Sequence, residues 1–101
     1  MDWRDRLKNA KGFQWDQGNA KKNIDKHQLS CEESEQVFFN RPLYVVEDSK
    51  HSNAETRFKA FGKNNTGKLI TLSFTLRGEL IRIISARSMN KKERAEVEKQ
   101  N

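Results

Sequence analysis

The stretch from Leu69 to Ile83 alternates apolar and polar side chains on either side of Arg77-Gly78, which commits this part of the chain to an antiparallel hairpin. Taking Leu76-Arg77-Gly78-Glu79 as a two-residue turn, with Gly78 supplying a positive φ, sets Phe74 opposite Ile81, Leu72 opposite Ile83 and Ser73 opposite Arg82. One face is then Ile70, Leu72, Phe74, Leu76, Ile81 and Ile83, which reads as core. The other carries Thr71, Ser73, Thr75 and Arg82.

A strand over about 55–63 precedes this pair and joins it through Asn64-Asn65-Thr66-Gly67. A slip of one residue there would exchange every side chain between faces. A three-residue loop closing on a left-handed Gly67 sets Phe58 opposite Phe74 and Ala60 opposite Leu72. It sends Glu55, Arg57 and Lys59 to the polar face beside Arg82. An even-numbered loop would bury Arg57 without a partner, at a cost of several kcal/mol, so the three-residue loop is expected. Arg87 has the opposite parity from Arg82 and joins that face only beyond the strand end or through a bulge. Such a face is either a solvated lattice of ion pairs or a surface open to an anion.

The rest of the chain frames this sheet. Residues 1–11 alternate charges around Trp3 and read as an N-terminal extension, with 12–101 as a single domain. Gly12-Phe13-Gln14-Trp15 alternates as a short strand would, and Asp16 then caps a helix reaching about His27. Ser30 with Glu33 forms a capping box for a second helix to about Phe39, anchored by Val37 and Phe38, before Pro42. Leu43–Val46 reads as a strand, and 48–54 as a polar loop holding His51. Asn90 with Glu93 repeats the capping pattern ahead of a short C-terminal helix. The expected class is α+β: an antiparallel sheet of four to five strands, packed by two N-terminal helices and a short C-terminal helix.

Twenty Lys+Arg against fourteen Asp+Glu give a net charge of +6. That excess favours nucleic acid, an anionic surface or an acidic partner. Cys31 is the single cysteine, so no internal disulfide forms, and no Cys/His spacing suits zinc. Chemistry without cofactor or metal is the default, and Cys31 is expected to pack rather than react. No apolar run approaches the ~20 residues of a membrane span, and the polar N-terminus is unlike a signal peptide, which points to the cytoplasm.

Taken in order, Phe13-x-Trp15-Asp16, Asn23, Lys26-His27, Glu32-Glu33, Val37-Phe38, Asp48, His51-Ser52, Glu55-x-Arg57-Phe58, Gly62, Arg82-Ile83-Ile84-Ser85-Ala86-Arg87 and Glu93-Arg94 resemble the BrnT family of ribonuclease toxins from bacterial type II toxin–antitoxin systems. The resemblance spans about 13–94 and implies a RelE-like fold, RNA cleavage that blocks translation, and neutralisation by a partner antitoxin, BrnA. Antitoxins of that kind join a toxin-covering segment to a ribbon-helix-helix part, so DNA would be reached only through the partner. Three positions depart from the family pattern: Cys31 where an aromatic residue is usual, Asn19 where a lysine is common, and Val97 where a tyrosine often follows Glu-Arg.

Metal-free cleavage of RNA needs removal of the 2′-hydroxyl proton, protonation of the 5′-oxygen and stabilisation of charge on phosphorus. Arginine suits the last task, because its planar fork stays charged and grips two phosphate oxygens. On that reading Arg57 and Arg82 bind the phosphate, with Arg87, Lys59 and Lys26 as further substrate contacts. His27 and His51 are the only histidines, the side chains that titrate near neutrality, and either can be the acid or the base. Glu55 fits a base or, preferably, a group that orients Arg57. The competing reading is a non-catalytic RNA- or ribosome-binding module using the same basic face. A third is a subunit acting at DNA only through its partner. The antitoxin's contacting segment is expected to be acidic and to cover the Arg57/Arg82 face.

Overall fold

A computed structural model of the protein describes residues 2–20, 29–51 and 55–100. Five strands, β1 (Gly12–Phe13), β2 (Tyr44–Glu47), β3 (Arg57–Lys63), β4 (Leu69–Arg77) and β5 (Leu80–Ser88), form one sheet in the order β1-β5-β4-β3-β2. The last four pair antiparallel, as their hairpin patterns require. β1 instead runs parallel to β5, Gly12 beside Leu80 and Phe13 beside Ile81, so the sheet is mixed rather than wholly antiparallel. Two alternating residues reveal a strand but not the direction of its neighbour.

The β3–β4 register is the expected one, with Phe58 opposite Phe74 and Ala60 opposite Leu72. Asn64, only 2% exposed, enforces it. Its Oδ1 accepts from the Thr66 and Lys68 amides at 3.1 and 2.9 Å, closing the tight loop on Gly67 at φ 88°. The β4–β5 register differs from expectation. The turn is centred on Gly78-Glu79, so Phe74 faces Ile83 and Thr75 faces Arg82. Gly78, at φ 59°, takes the first central position rather than the second. A shift of two residues leaves every side chain on its expected face. A bulge then intervenes. Ser73 pairs with Ser85, so Ile84 is an extra residue in β5 and the parity beyond it is inverted.

The apolar face of the sheet is sealed by the N-terminal half of the chain. α1 (Trp3–Lys8), the helical residues 17–20, α2 (Cys31–Gln36) and a 3-10 turn at Val37–Phe39 lie before the β2–β5 meander. The Ser30/Glu33 capping box is present in full. Rings run through the core in sequence: Trp3 to Phe58 at 4.9 Å, Phe58 to Phe74 at 5.3 Å, Phe74 to Phe38 at 5.2 Å and Phe38 to Phe13 at 5.6 Å. Thus the charged segment read as an extension holds a short helix whose Trp3 packs on the core. Cys31 is half-buried, and burial pushes its thiol pKa up. On the opposite sheet face lies α3 (Lys91–Gln100), which buries none of its own residues and is tethered through Glu93.

Candidate functional site

The open face of the sheet is a grid of side chains set by strand register. Across β3, β4 and β5 one row reads Arg57, Thr75, Arg82. The next reads Val46, Lys59, Ser73, Ser85, and the one beyond it Tyr44, Phe61, Thr71, Arg87. Arg57 and Arg82 therefore share a face, with β4 between them and their backbones roughly 10 Å apart at two strand spacings. Arg87 reaches the same face because the extra Ile84 inverts its parity, the bulge route foreseen in the sequence. Arg57, Lys59 and Arg87, with Asp48, Ser73 and Ser85, surround a groove of about 260 Å³. Thr71 and Thr75, 4% and 2% exposed, form the buried part of this face.

On this face Arg77, Arg82 and Arg87 are each held by a carboxylate. Arg82 is only 16% exposed and meets Asp16 at 2.9 Å. The same nitrogen lies 3.4 Å from the Gln14 side-chain oxygen. The Arg82 hydrogen bond pulls the Asp16 carboxyl below its usual range. Arg87 grips Glu93 bidentately at 2.7 and 2.8 Å, and Glu93 also accepts from the Thr71 hydroxyl at 3.0 Å. That pairing holds the Glu93 carboxyl down at about 2. Asn90 and Glu93 exchange backbone-to-side-chain hydrogen bonds of 3.0 and 2.8 Å, completing the second capping box.

Glu55 departs from its expected partner. It binds Arg77 bidentately, both distances 2.8 Å, and not Arg57 as the sequence suggested. The Arg77 hydrogen bond lowers the Glu55 pKa, with Arg57 and Arg82 adding smaller attractions. Arg77 was hidden from sequence reasoning because the turn was centred on it. Moving the turn by one residue, which shifts the pairing by two, puts it in β4, on the polar face. Asp16 was visible only as a helix cap, which it is as well, accepting from the Gly18 and Asn19 amides. Asn19 cannot replace the lysine of the family pattern at the groove. Its side chain is buried, donates to the Gln14 and Ile83 carbonyls at 3.0 and 2.9 Å, and accepts from the Asp16 amide at 2.7 Å.

Lys26 and His27 lie outside the described residues. His51 ends a 3-10 turn, Ser49–His51, just before β3, and its side chain also lies outside them. Among the described residues no three His, Cys, Asp or Glu side chains gather as a metal-binding group. No helix among them is long and apolar enough to cross a membrane. What the face offers chemically is a row of fixed guanidinium groups, a lysine and hydroxyls around an open groove, suited to a phosphodiester.

Residues 15–93 match the family described as ribonuclease toxin, BrnT, of type II toxin–antitoxin systems. Among solved structures, the Brucella abortus ribonuclease toxin BrnT is similar at 25% sequence identity and a TM-score of 0.59, covering 79% of this chain and 97% of that one. No curated protein sequence matches significantly.

Proposed function

The chain belongs to the BrnT family of ribonuclease toxins of type II toxin–antitoxin systems, and from that premise we propose that it cleaves RNA internally, without a metal ion, and is neutralised by a cognate BrnA-like antitoxin. In the proposed reaction the 2′-oxygen loses its proton to a base and bonds to phosphorus. The bond from phosphorus to the 5′-oxygen breaks, and that oxygen takes a proton. The products are a 2′,3′-cyclic phosphate and a free 5′-hydroxyl. Arg57 and Arg82 bind the scissile phosphate and stabilise its developing charge, with Arg87, Lys59 and Lys26 along the flanking backbone. His27 and His51 are assigned proton transfer. Glu55 is assigned a positioning role, because a carboxylate whose pKa is lowered by Arg77 is a weaker base.

The observation that carries this reading is the gathering of Arg57, Arg82 and Arg87 on one open sheet face, through a bulge that has no other evident use. Asp16, 56% exposed, keeps the Arg82 guanidinium on that face and is solvated enough to yield to a phosphate. Incubation of the purified protein with RNA in EDTA tests the proposal. Cleavage should persist and fall about 100-fold or more in Arg82→Ala. A requirement for divalent cation, or full activity in that variant, overturns it, and RNA binding without cleavage leaves the non-catalytic module standing. The antitoxin's acidic segment should cover the Arg57/Arg82 face and supply DNA contact through its own ribbon-helix-helix part. Cross-links confined to the opposite, helix-covered face would refute that placement.

A further inference from the structure

Beside the basic groove the same face carries aromatic and aliphatic side chains at positions that point away from the core. Tyr44 and Phe61 stand in the row that ends at Arg87, and Val46 in the row of Lys59, Ser73 and Ser85. Tyr44, Val46 and Phe61 form one wall of a groove of about 660 Å³ whose other wall is α3, through Lys92 and Val97. The helix spans the groove without filling it, since none of its residues is buried, and Val46 remains 50% exposed. Acidic groups on the helix wall are answered by cations, Glu93 by Arg87 at 2.7 Å and Glu96 by Lys99 at 3.8 Å. Outward strand positions would ordinarily be polar, so contiguous apolar side chains here need an occupant.

Continuity with the phosphate groove identifies it. The rings border the cations on one face, so a ligand that runs along β3 from Arg57 past Lys59 toward Phe61 meets charge and then an aromatic surface, with roughly 7 Å between successive outward residues. Single-stranded nucleic acid presents that pair of chemistries at each nucleotide, a phosphate and a base with a π-face. We propose that the groove formed by Tyr44, Val46, Phe61 and α3 is a nucleobase subsite, in which a base flanking the scissile phosphate stacks on the aromatic wall. The subsite deepens the ribonuclease reading and rests on it. It would fix which phosphate enters the arginine row, and so the position of the cut.

Binding of 2′-O-methyl RNA oligomers, which lack the attacking hydroxyl, tests this by fluorescence anisotropy across a salt series. Tyr44→Leu with Phe61→Leu keeps apolar volume and removes both rings. That variant should lose roughly 5- to 100-fold in affinity with an unchanged salt slope. Lys59→Ala should instead lower the slope by about one. An abasic nucleotide scanned along the oligomer should cost the wild type a similar factor at one position only. At that position the ring variant should lose little more. If the ring variant does not fold, the wild-type abasic scan decides alone. A wild type that does not bind the oligomer overturns the ribonuclease reading and the subsite together. Salt-dependent binding with a flat abasic scan, or with rings that do not matter, overturns the subsite only. Rings needed for antitoxin binding but not for RNA assign the groove to the protein partner and likewise overturn it.

Discussion

Glu93 offers the sharpest test of how this face is held together, because one carboxylate joins Arg87, the Thr71 hydroxyl and the Asn90 amide. Glu93→Gln removes its charge and keeps one acceptor oxygen in place, since glutamine also completes a capping box. The Arg87 hydrogen bond, the largest influence, holds the folded-state carboxyl at about 2 against an ordinary 4.5. That gap sets a ceiling of roughly 3.4 kcal/mol, at about 1.36 kcal/mol per pH unit. Glu93 is only 15% exposed but Arg87 is 38% exposed, so screening brings the expected contribution to about 1–2 kcal/mol. A carboxyl whose folded-state pKa is depressed contributes fully above about pH 4.5 and loses that contribution as the pH falls toward 2. Urea unfolding from pH 7 to 2 should therefore show the wild type ahead of Glu93→Gln by about 1–2 kcal/mol at neutral pH, and the two converging in acid. The difference between the proteins isolates Glu93 from Asp16 and Glu55, which titrate in both. Curves that stay parallel throughout the range would refute the assignment.

Other variants probe separate parts of the structure. Gly62→Ala places a methyl 2.9 Å from Val37 Cγ1 and should cost about 1–3 kcal/mol, seen as a lower thermal midpoint. Asn19→Ala strands the Asp16 amide and the Gln14 and Ile83 carbonyls, and should lower the urea midpoint by the equivalent of about 2 kcal/mol or more at unchanged slope. Arg77→Ala should raise the Glu55 pKa toward the usual carboxylate range, followed by carboxyl-carbon NMR titration, and an unmoved Glu55 would show that another cation holds it.

The sequence was most legible where a misplaced residue carries a large penalty. Burying Arg57 was costly enough to choose one β3–β4 register over its neighbour, and that register is the one found. Between β4 and β5 no such penalty operates. Gly78 can occupy either central turn position, and both choices keep Ile81 and Ile83 inside, so the two-residue error was invisible to hydrophobic pattern. The direction of β1 depends on where the chain returns, and Gly12-Phe13 records nothing of that. Trp3 among charges did not announce its contact with Phe58, because a single ring has no period. The ion pairs were least legible. Arg82 finds Asp16 and Arg77 finds Glu55 only after the fold brings distant segments together.

The extra residue in β5 has a consequence for how this surface is inherited. Flattening the bulge with Ile84 retained would turn Arg87 inward and present Ala86 to water, whereas loss of Ile84 would restore unbroken alternation and leave both residues on their present faces. A one-residue deletion at the bulge therefore spares the groove, whereas straightening the strand at full length would remove one of its cations.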